Sequence, residues 1–411
     1  MSPPDRDGFP ISASPPGRDA FPIGASVTLE QLDQDPYPIH ARLREHEPVS
    51  WLPALNGWLV TRRDLALAVM RDAGTFTVDD PRFSTAQVVG PSMLSLDGQA
   101  HTRHRAPFAT PFRPTAVRER FAEPASVEAR RLIDGFATAG EAELRRSFAG
   151  PLAASIMARA LGLEQAEVTE MLDWYDGIVA AVTDITAGHP LPASGRDAFA
   201  ALRERLEAAI AADPEASLLA AAAAQADLDS EQIVSNAAVL LFGGIETTEG
   251  MIANALLHLL ERPELIARAR RDEGLLEAAI EESLRLEPAA AVVDRYATTE
   301  AHVSGADINQ GDLVRVSITA ANRDPATYPD PDRFDPGRPR RPRHLAFAQG
   351  PHVCLGVHLA RLEARTGLAT LLDRLPDLRL DPTRPSKVRG LVFRKPPTLH
   401  AVWDGDHLRV L

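Results

Sequence analysis

The sequence predicts a mainly α-helical fold with small sheets at its edges. From about Thr115 to Leu286, Ala, Leu, Arg and Glu recur at helical spacing, with turn residues between the segments. A second helical stretch follows Gly356, and the strand-like runs are short. The 411 residues suit one large domain or two ordinary ones, but no break in composition suggests a second domain.

The N-terminus carries a tandem repeat rich in Pro, Gly and Ser. Residues 2–14 recur as residues 14–26 with few changes. Two copies are too few for a solenoid, and the composition argues against a packed core. We therefore expect residues 1–26 to be a disordered duplicated segment, with a docking peptide as the alternative, and residues 27–411 to form the folded domain.

Short strand signals flank the helical region. Residues 49–61 predict a hairpin, because two apolar runs meet at an Asn-Gly turn. Apolar and polar residues alternate over 314–319, which is the period of a half-buried strand. A last hairpin is expected around Asp404 and Gly405.

Two further segments separate the strand at 314–319 from the C-terminus. The prolines between Pro325 and Pro342 predict coil. The helix after Gly356 should bury one apolar face. That face comprises Val357, Ala360, Ala364, Leu368, Leu371 and Leu375.

Composition excludes several classes of protein. The formal charge of −13 is unsuited to nucleic acid, whose binding needs Lys and Arg against phosphates. No run approaches the ~18 apolar residues of a membrane helix, and no apolar segment suggests a secretory signal. The one cysteine, Cys354, can form neither an internal disulfide nor an iron–sulfur cluster. We therefore expect a cytoplasmic protein.

The loop around Cys354 is the most informative segment. Cys354 lies just before a helix, where free backbone N–H groups and the helix dipole favour a thiolate. Gly350 and Gly356 permit a tight loop around the sulfur. Such a thiolate suits a metal ligand or a nucleophile. A lone cysteine is otherwise most often a buried core residue, and these residues by themselves identify no ligand.

This segment resembles the haem-ligand signature of the cytochromes P-450, Phe-x-x-Gly-x-x-x-Cys-x-Gly. Phe347, Gly350, Cys354 and Gly356 occupy its fixed positions, while Ala348 stands where Gly is usual. The resemblance implies the single-domain cytochrome P-450 fold and haem b (iron protoporphyrin IX), with Cys354 as the axial ligand of the iron. A thiolate in that position favours cleavage of the O–O bond.

A glycine pair falls within the long apolar helix that begins near Glu231. Gly243 and Gly244 weaken a helix interior by roughly 1 kcal/mol each. Thr247 can donate its hydroxyl to the Gly243 carbonyl and bend the helix, leaving a groove floored by a hydroxyl and a carboxylate. The alternative on these residues alone is a packing pair beside a solvated Glu246.

The same residues resemble the oxygen-activation motif of the family, Gly-Gly-x-(Asp/Glu)-Thr. The resemblance implies that Glu246 and Thr247 are its acid–alcohol pair, which delivers protons during oxygen activation. The acid is Glu rather than the commoner Asp.

Glu282 and Arg285 lie three apart on one helix face, a spacing typical of weak surface ion pairs. They resemble the buried Glu-x-x-Arg motif of the family, and Arg338 stands where a third member of that cluster belongs. The resemblance implies a structural role for these three residues.

Four basic residues match family positions that bind the haem propionates. His101 and Arg105 lie one helical turn apart. Arg295 follows Arg285 by ten residues, and His344 precedes Cys354 by ten. Each could also be an ordinary surface residue.

The resemblance extends from about Asp35 to the C-terminus. In the tail, Lys395 stands where Gly is usual. By family position, the apolar pocket walls should comprise Val89, Met93, Val239, Phe242, Gly243, Ala290, Ala291, Val292, Val293, Leu391 and Val392. A pocket of this kind fits a bulky hydrophobic molecule, such as a terpenoid or polyketide.

The family implies a bacterial monooxygenase that inserts one oxygen atom from O2 into a hydrophobic organic substrate, by hydroxylation, epoxidation or a related oxidation, in secondary metabolism. Electrons should come from a ferredoxin and its reductase. An acidic ferredoxin would be steered to a basic patch. That patch should comprise His352, His358, Arg103, Arg113 and Arg365.

Three alternatives remain. A peroxide-driven peroxygenase would not need Glu246 and Thr247. A non-catalytic haem-binding docking protein would show no turnover coupled to oxygen. A cysteine hydrolase would need a His facing Cys354, and the basic cluster argues against it.

Overall fold

The computed structural model describes residues 20–163, 168–186, 189–211, 217–225, 227–339 and 342–404. The helices in chain order are α1 (Pro22–Ala25), α2 (Leu29–Gln34), α3 (Tyr37–His46), α4 (Arg63–Arg71), α5 (Ser84–Val89), α6 (Gly98–Ala109), α7 (Pro114–Phe136), α8 (Gly150–Leu161), α9 (Val168–Thr186), α10 (Ala193–Ile210), α11 (Leu218–Gln225), α12 (Ser230–Leu260), α13 (Pro263–Ala269), α14 (Glu273–Leu286), α15 (Ile318–Ala321) and α16 (Val357–Arg374). The strands are β1 (Val49–Leu52), β2 (Gly57–Val60), β3 (Phe76–Thr77), β4 (Glu141–Glu143), β5 (Val292–Ala297), β6 (Ala301–Val303), β7 (Ala306–Ile308), β8 (Leu313–Ser317), β9 (Arg379–Leu380) and β10 (His400–Val402). The predicted mainly helical fold with small sheets is confirmed.

The long helix α12 lies at the centre of the molecule. A capping box starts it, because Asp229 and Gln232 each accept the backbone N–H of the other. Most of the helix is buried on every side, which is typical of a helix that runs through a core rather than along a surface. It packs against α8, α14 and α16, and α16 packs along α7.

The largest sheet has the strand order β1-β2-β8-β5-β3. The predicted hairpin is confirmed: β1 and β2 pair antiparallel, and Asn56 turns the chain in the left-handed conformation at φ 46°. Strand β8 then adds parallel to β2.

The expectation of a half-buried strand at 314–319 is wrong for its polar side. Arg315 is only 3% exposed, because β5 supplies Asp294 to it at 2.6 Å. Ser317 is fully buried and caps α15 by accepting the backbone N–H of Ala320. Ile318 begins that helix rather than ending the strand. The alternation therefore separates two buried environments, not core from solvent.

The packed chain begins before the boundary expected at residue 26. Residues 1–19 lie outside the described residues, but Gly24 is buried and α1 follows directly after Phe21. The Glu47 carboxylate accepts the backbone N–H groups of Ile23 and Gly24, and the Phe21 ring meets Trp58 edge-on. The end of the second repeat copy is therefore part of the fold.

At the other terminus, the hairpin expected around Asp404 and Gly405 extends beyond the described residues. Before that point β10 pairs antiparallel with both β4 and β9. The segment between Pro325 and Pro342 is coil where it is described, as predicted. None of the helices in the described ranges is long and apolar enough to cross a membrane.

Candidate active site

A cavity of about 340 Å³ lies between the middle of α12 and the loop that precedes α16. Thr247 lines it from α12, and Cys354 and Phe347 line it from the loop. Strand β5 and α6 contribute Arg295 and Arg105. The structure thus brings together three of the motifs that are far apart in the sequence.

The backbone of the loop fixes where Cys354 points. Its N–H donates to the Phe347 carbonyl at 2.9 Å, which closes a tight turn. Gly350 has φ +78°, and a Cβ there would lie 2.4 Å from the Met70 carbonyl oxygen, so only glycine fits against α4. Helix α16 begins at Val357, three residues after the cysteine.

Ala348 is the position where the loop departs from the family signature. Its φ of 55° lies in the left-handed region. An L-residue pays roughly 1–2 kcal/mol for that conformation, whereas glycine adopts it freely. The usual glycine is therefore explained by the backbone, and this chain keeps the same turn with a strained alanine.

The protein acts on the pKa of the Cys354 thiol in two opposing directions. Burial raises the pKa of Cys354, and this effect exceeds the opposing effects of the Gly356 N–H, Arg105 and Arg361. The Gly356 N–H, Arg105 and Arg361 each favour the thiolate form of the sulfur. Ionisation there needs a positive partner at the sulfur, such as a bound metal ion.

The hydrogen bond expected from Thr247 to Gly243 is present, at 2.6 Å. Helix α12 nevertheless continues through the glycine pair without interruption. A Cβ on Gly244 would lie 2.4 Å from the Met157 sulfur, so this glycine lets α8 approach. Gly243 has open space beside it and lines the cavity.

Glu246 is 3% exposed and, unlike Thr247, is absent from the cavity wall. Its Oε1 lies 2.9 Å from the Lys395 ammonium. Its buried Oε2 has no hydrogen-bond partner among the described residues. Burial raises the pKa of Glu246, and Lys395 opposes this shift.

Arg105 and Arg295 line the cavity as cations without a counter-ion. Arg105 donates to the Val353 carbonyl at 2.6 Å, and Arg295 donates to the Asp294 carbonyl at 2.7 Å. Neither forms an ion pair with any carboxylate in the described ranges. Burial lowers the pKa of both, so an anion in the cavity would relieve an electrostatic cost.

The two histidines predicted to bind the propionates, His101 and His344, do not lie together. The buried Nε2 of His101 has no partner among the described residues, and its ring lies 4.4 Å from the ring of His352. His352, which we had expected on a docking surface, lines the cavity and contacts Asp97 at 2.8 Å. His344 lies apart from this pair, because its Nε2 faces Glu281 at 3.3 Å. Of these three histidines, His352 alone is part of the cavity wall.

The cluster of Glu282, Arg285 and Arg338 is assembled and buried. Arg285 donates to both Glu282 oxygens at 2.9 and 2.8 Å, and Arg338 donates to Oε1 at 3.1 Å. Arg285 also donates to the carbonyls of Asn322 and Pro331. These bonds tie α14 to the coil that leads toward the cysteine loop.

Most of the expected pocket wall lines the cavity, namely Met93, Val239, Phe242, Gly243, Ala290, Val292, Val293 and Val392. Three expected residues do not. Val89 is buried in the core beside α12 and α9, while Ala291 and Leu391 border a separate small cavity.

Sequence reasoning missed two further residues at this cavity. Phe393 meets Phe242 edge-on with ring centroids 5.6 Å apart. Glu363 on α16 lines the cavity, is 1% exposed, and leaves Oε2 without a partner in the described part of the chain. Burial raises the pKa of Glu363 well above its ordinary value. A lone Glu in an amphipathic helix gave no signal of this placement.

Comparisons with known proteins identify the class. Residues 203–400 match the family model described as Cytochrome P450. The chain is 35% identical over 371 residues to cytochrome P450 monooxygenase PikC of Streptomyces venezuelae, covering 84% of this chain and 85% of the relative. It is 34% identical to mycinamicin IV hydroxylase/epoxidase of Micromonospora griseorubida, with 89% of this chain and 94% of the relative covered.

A solved structure agrees with the sequence relatives. HmtN, described as a post-tailoring hydroxylase involved in himastatin biosynthesis, superposes with a TM-score of 0.76 at 29% identity, covering 89% of this chain and 97% of that one. The fold and site thus define a haem-thiolate monooxygenase. This chain belongs to the cytochrome P450 family, and its cofactor is haem b.

The residues present fit that cofactor. The two propionates of haem need cations, and the half-buried Arg105 and the buried Arg295 have no counter-ion in the described chain. His101 adds an unpartnered buried nitrogen. The Cys354 thiol lies in the same cavity.

Proposed function

We propose that this monooxygenase oxidises a bulky hydrophobic secondary metabolite of polyketide or terpenoid size. The observation that carries the proposal is the apolar wall of the cavity, where Phe242 and Phe393 share one space with Thr247 and Cys354. The haem would fill the part of the cavity next to Cys354, and the substrate would lie against the apolar wall. A mainly apolar wall holds a substrate by shape, with few fixed polar contacts. The relatives named mycinamicin IV hydroxylase/epoxidase and 20-oxo-5-O-mycaminosyltylactone 23-monooxygenase support a secondary metabolite as the substrate.

Cys354 would be the axial ligand of the haem iron. Arg105, Arg295 and His352, which line the cavity, would hold the propionates, and His101 would support His352 through their ring contact. His344, which pairs with Glu281, would not take part. Phe347, Gly350 and Gly356 shape the loop around the sulfur. Bound haem with a thiolate ligand supplies the O–O cleavage chemistry.

Thr247 and Glu246 would deliver protons to the cavity. The Thr247 hydroxyl donates to the Gly243 carbonyl, so its oxygen stays free to accept a hydrogen bond from a water in the cavity and to hold that water in place. Glu246 is buried and precedes Thr247 in the chain. Its Oε1 pairs with Lys395, and its Oε2 has no hydrogen-bond partner among the described residues. Together they form a path from the interior of the fold to the cavity wall.

A ferredoxin with its reductase is the electron donor that we propose. Arg103, Arg113 and His358 are exposed and could meet an acidic partner. Arg365 is half-buried against Glu277, and His352 is turned inward. The docking patch is therefore smaller than the sequence suggested.

A spectral-shift screen tests the substrate class. Macrolactones, terpenoids and short polar acids are titrated into the haem protein, and ligands that shift the haem spectrum are incubated with NADPH, a ferredoxin and a ferredoxin reductase. We expect macrolactones or terpenoids to bind and to gain one oxygen atom. Binding of the polar acids alone would overturn the proposal. Full turnover with hydrogen peroxide and no electron partner would favour a peroxygenase.

A further inference from the structure

Lys395 lies in the tail, where the sequence departs from the family pattern. Its side chain is 11% exposed, and its ammonium contacts the Glu246 carboxylate at 2.9 Å. The same ammonium pairs with Glu249 one helical turn further along α12 and lies 3.1 Å from the Tyr175 hydroxyl on α9. One cation therefore joins three buried groups from two helices.

The charges of this cluster leave Glu246 dependent on Lys395. Two carboxylates, Glu246 and Glu249, share two cations, Lys395 and Arg145. Arg145 lies 3.2 Å from Glu249 and forms no ion pair with Glu246. Without Lys395, the Glu246 carboxylate would have no ion-pair partner among the described residues.

The tail holds Lys395 firmly in this place. Its backbone bonds in both directions with Arg389, and the neighbouring Arg394 is buried against Glu287 at 2.9 Å. The stem of Lys395 packs on α12 at Gly250, where an added Cβ would lie 3.6 Å from it. The position of the ammonium is thus set by the fold rather than by a mobile chain.

The residue type also fits this task. The chain has 44 basic residues, of which Lys387 and Lys395 are the only lysines. An ammonium has three donors that can rotate toward three separate partners, whereas a guanidinium is a rigid planar fork. The three partners of Lys395 match the ammonium.

We propose that Lys395 is the positioning residue of the Glu246 relay: its ammonium keeps the Glu246 carboxylate ionised and fixes Oε1, so that Oε2 alone is open to exchange protons with water. This inference rests on the proposed role of Glu246. Lys395 acts through that carboxylate and does not reach the cavity wall. Among the described residues, Glu249 and Arg145 are the other charged groups that act on Glu246, and Tyr175 contacts the same ammonium.

The test compares Lys395→Met with Lys387→Met, the same change at the exposed second lysine. Loss of a cation within about 4 Å raises the pKa of a carboxylate by about 1–3 units. We therefore expect the pH limb of turnover that depends on Glu246 to move upward by about 1–3 pH units in Lys395→Met. Lys387→Met should keep the original limb. The same limb in Lys395→Met as in the native enzyme would overturn the proposal.

A second readout does not depend on turnover. Infrared difference spectra between Lys395→Met and Lys395→Met/Glu246→Gln at neutral pH should show the C=O stretch of a neutral carboxyl. Spectra between the native protein and Glu246→Gln should lack it. Absence of the band in the first pair would show that Lys395 does not keep Glu246 ionised and would overturn the inference.

The Glu246→Gln enzyme separates the two possible failures. If the Glu246→Gln enzyme turns over normally, the proposed relay is wrong, and the role proposed for Lys395 is wrong as well. If Glu246→Gln is impaired and Lys395→Met is not, the relay stands and only the role of Lys395 is overturned.

Discussion

At the scale of single residues, α12 brings two hydroxyls to the cavity, Thr247 and Thr248, and Thr247 is the one next to the proposed relay acid. It donates to the Gly243 carbonyl at 2.6 Å, and this bond fixes the direction of its oxygen. Neither substrate binding nor reduction uses this hydroxyl. Its loss should therefore affect proton delivery and little else.

Thr247→Ala should bind substrate with an unchanged spectral shift and be reduced at the native rate. NADPH oxidation should continue while product falls, and the missing electrons should appear as hydrogen peroxide. The measurement is product formed per NADPH consumed, together with a peroxide assay. The neighbouring Thr248→Ala is the matched control. A fully coupled Thr247→Ala enzyme would contradict the relay.

Glu363 should make the stability of the folded protein depend on pH. Its folded pKa is raised well above the ordinary value of 4.5, so the folded state keeps a proton that the unfolded state has lost. Stability should therefore fall as pH rises above about 4.5 toward the folded pKa. Glu363→Gln cannot ionise, so its Tm relative to the native protein should increase steadily from pH 5 to pH 8. A constant difference in Tm would show that Glu363 ionises in the fold.

At the scale of elements, buried ion pairs attach the coil after α15 to α14. Glu282 and Arg285 have side chains 6% and 3% exposed, and Arg338 completes the cluster. Removing one member leaves an uncompensated buried charge. The attachment matters because this coil leads directly to the cysteine loop.

Arg285→Ala should lower the free energy of unfolding by about 3–5 kcal/mol. The control is Arg365→Ala, whose pair with Glu277 is 43% exposed on both sides and should cost under about 1 kcal/mol. Urea unfolding followed by circular dichroism measures both. Equal losses of unfolding free energy in the two variants would mean that burial of the cluster contributes nothing to stability.

Local signals made much of the fold predictable. The Asn56 turn and the Thr247 bond to Gly243 depend on neighbours close in sequence, and both are present. The prediction that Arg315 faces solvent is wrong because its partner Asp294, on another strand, pairs with it inside the fold. The sequence also gives no sign that His344 pairs with Glu281 on α14, away from the cavity.

Tertiary contacts explain the remaining misses at the site. The importance of Lys395 could not be inferred from the tail, because its three partners come from α9 and α12. The unpartnered carboxyl of Glu363 likewise results from packing of α16 against its neighbours. A motif names the residues of a site, but the charges that surround them depend on the whole fold.

At the scale of the whole molecule, the formal charge of −13 opposes an acidic electron donor. Docking must therefore rely on a local basic patch, for which Arg103, Arg113 and His358 are exposed. Attraction between exposed charges is screened by salt over about 8–10 Å at physiological ionic strength.

Rising salt should slow the first electron transfer from ferredoxin by about tenfold or more, the range of electrostatic steering. Substrate binding, which depends on the apolar cavity, should change little over the same range and is the control. Stopped-flow reduction measures the rate. A rate indifferent to ionic strength would contradict docking on this patch.

The central claim is that Cys354, held in the cavity by the turn at Phe347 and Gly350, is the thiolate ligand of the haem. The ferrous–CO spectrum of native protein and Cys354→Ser tests it most directly. We predict a red-shifted Soret band in the native protein and its loss in Cys354→Ser, with helical content by circular dichroism largely unchanged. A purified Cys354→Ser protein that kept the red-shifted band would contradict the account.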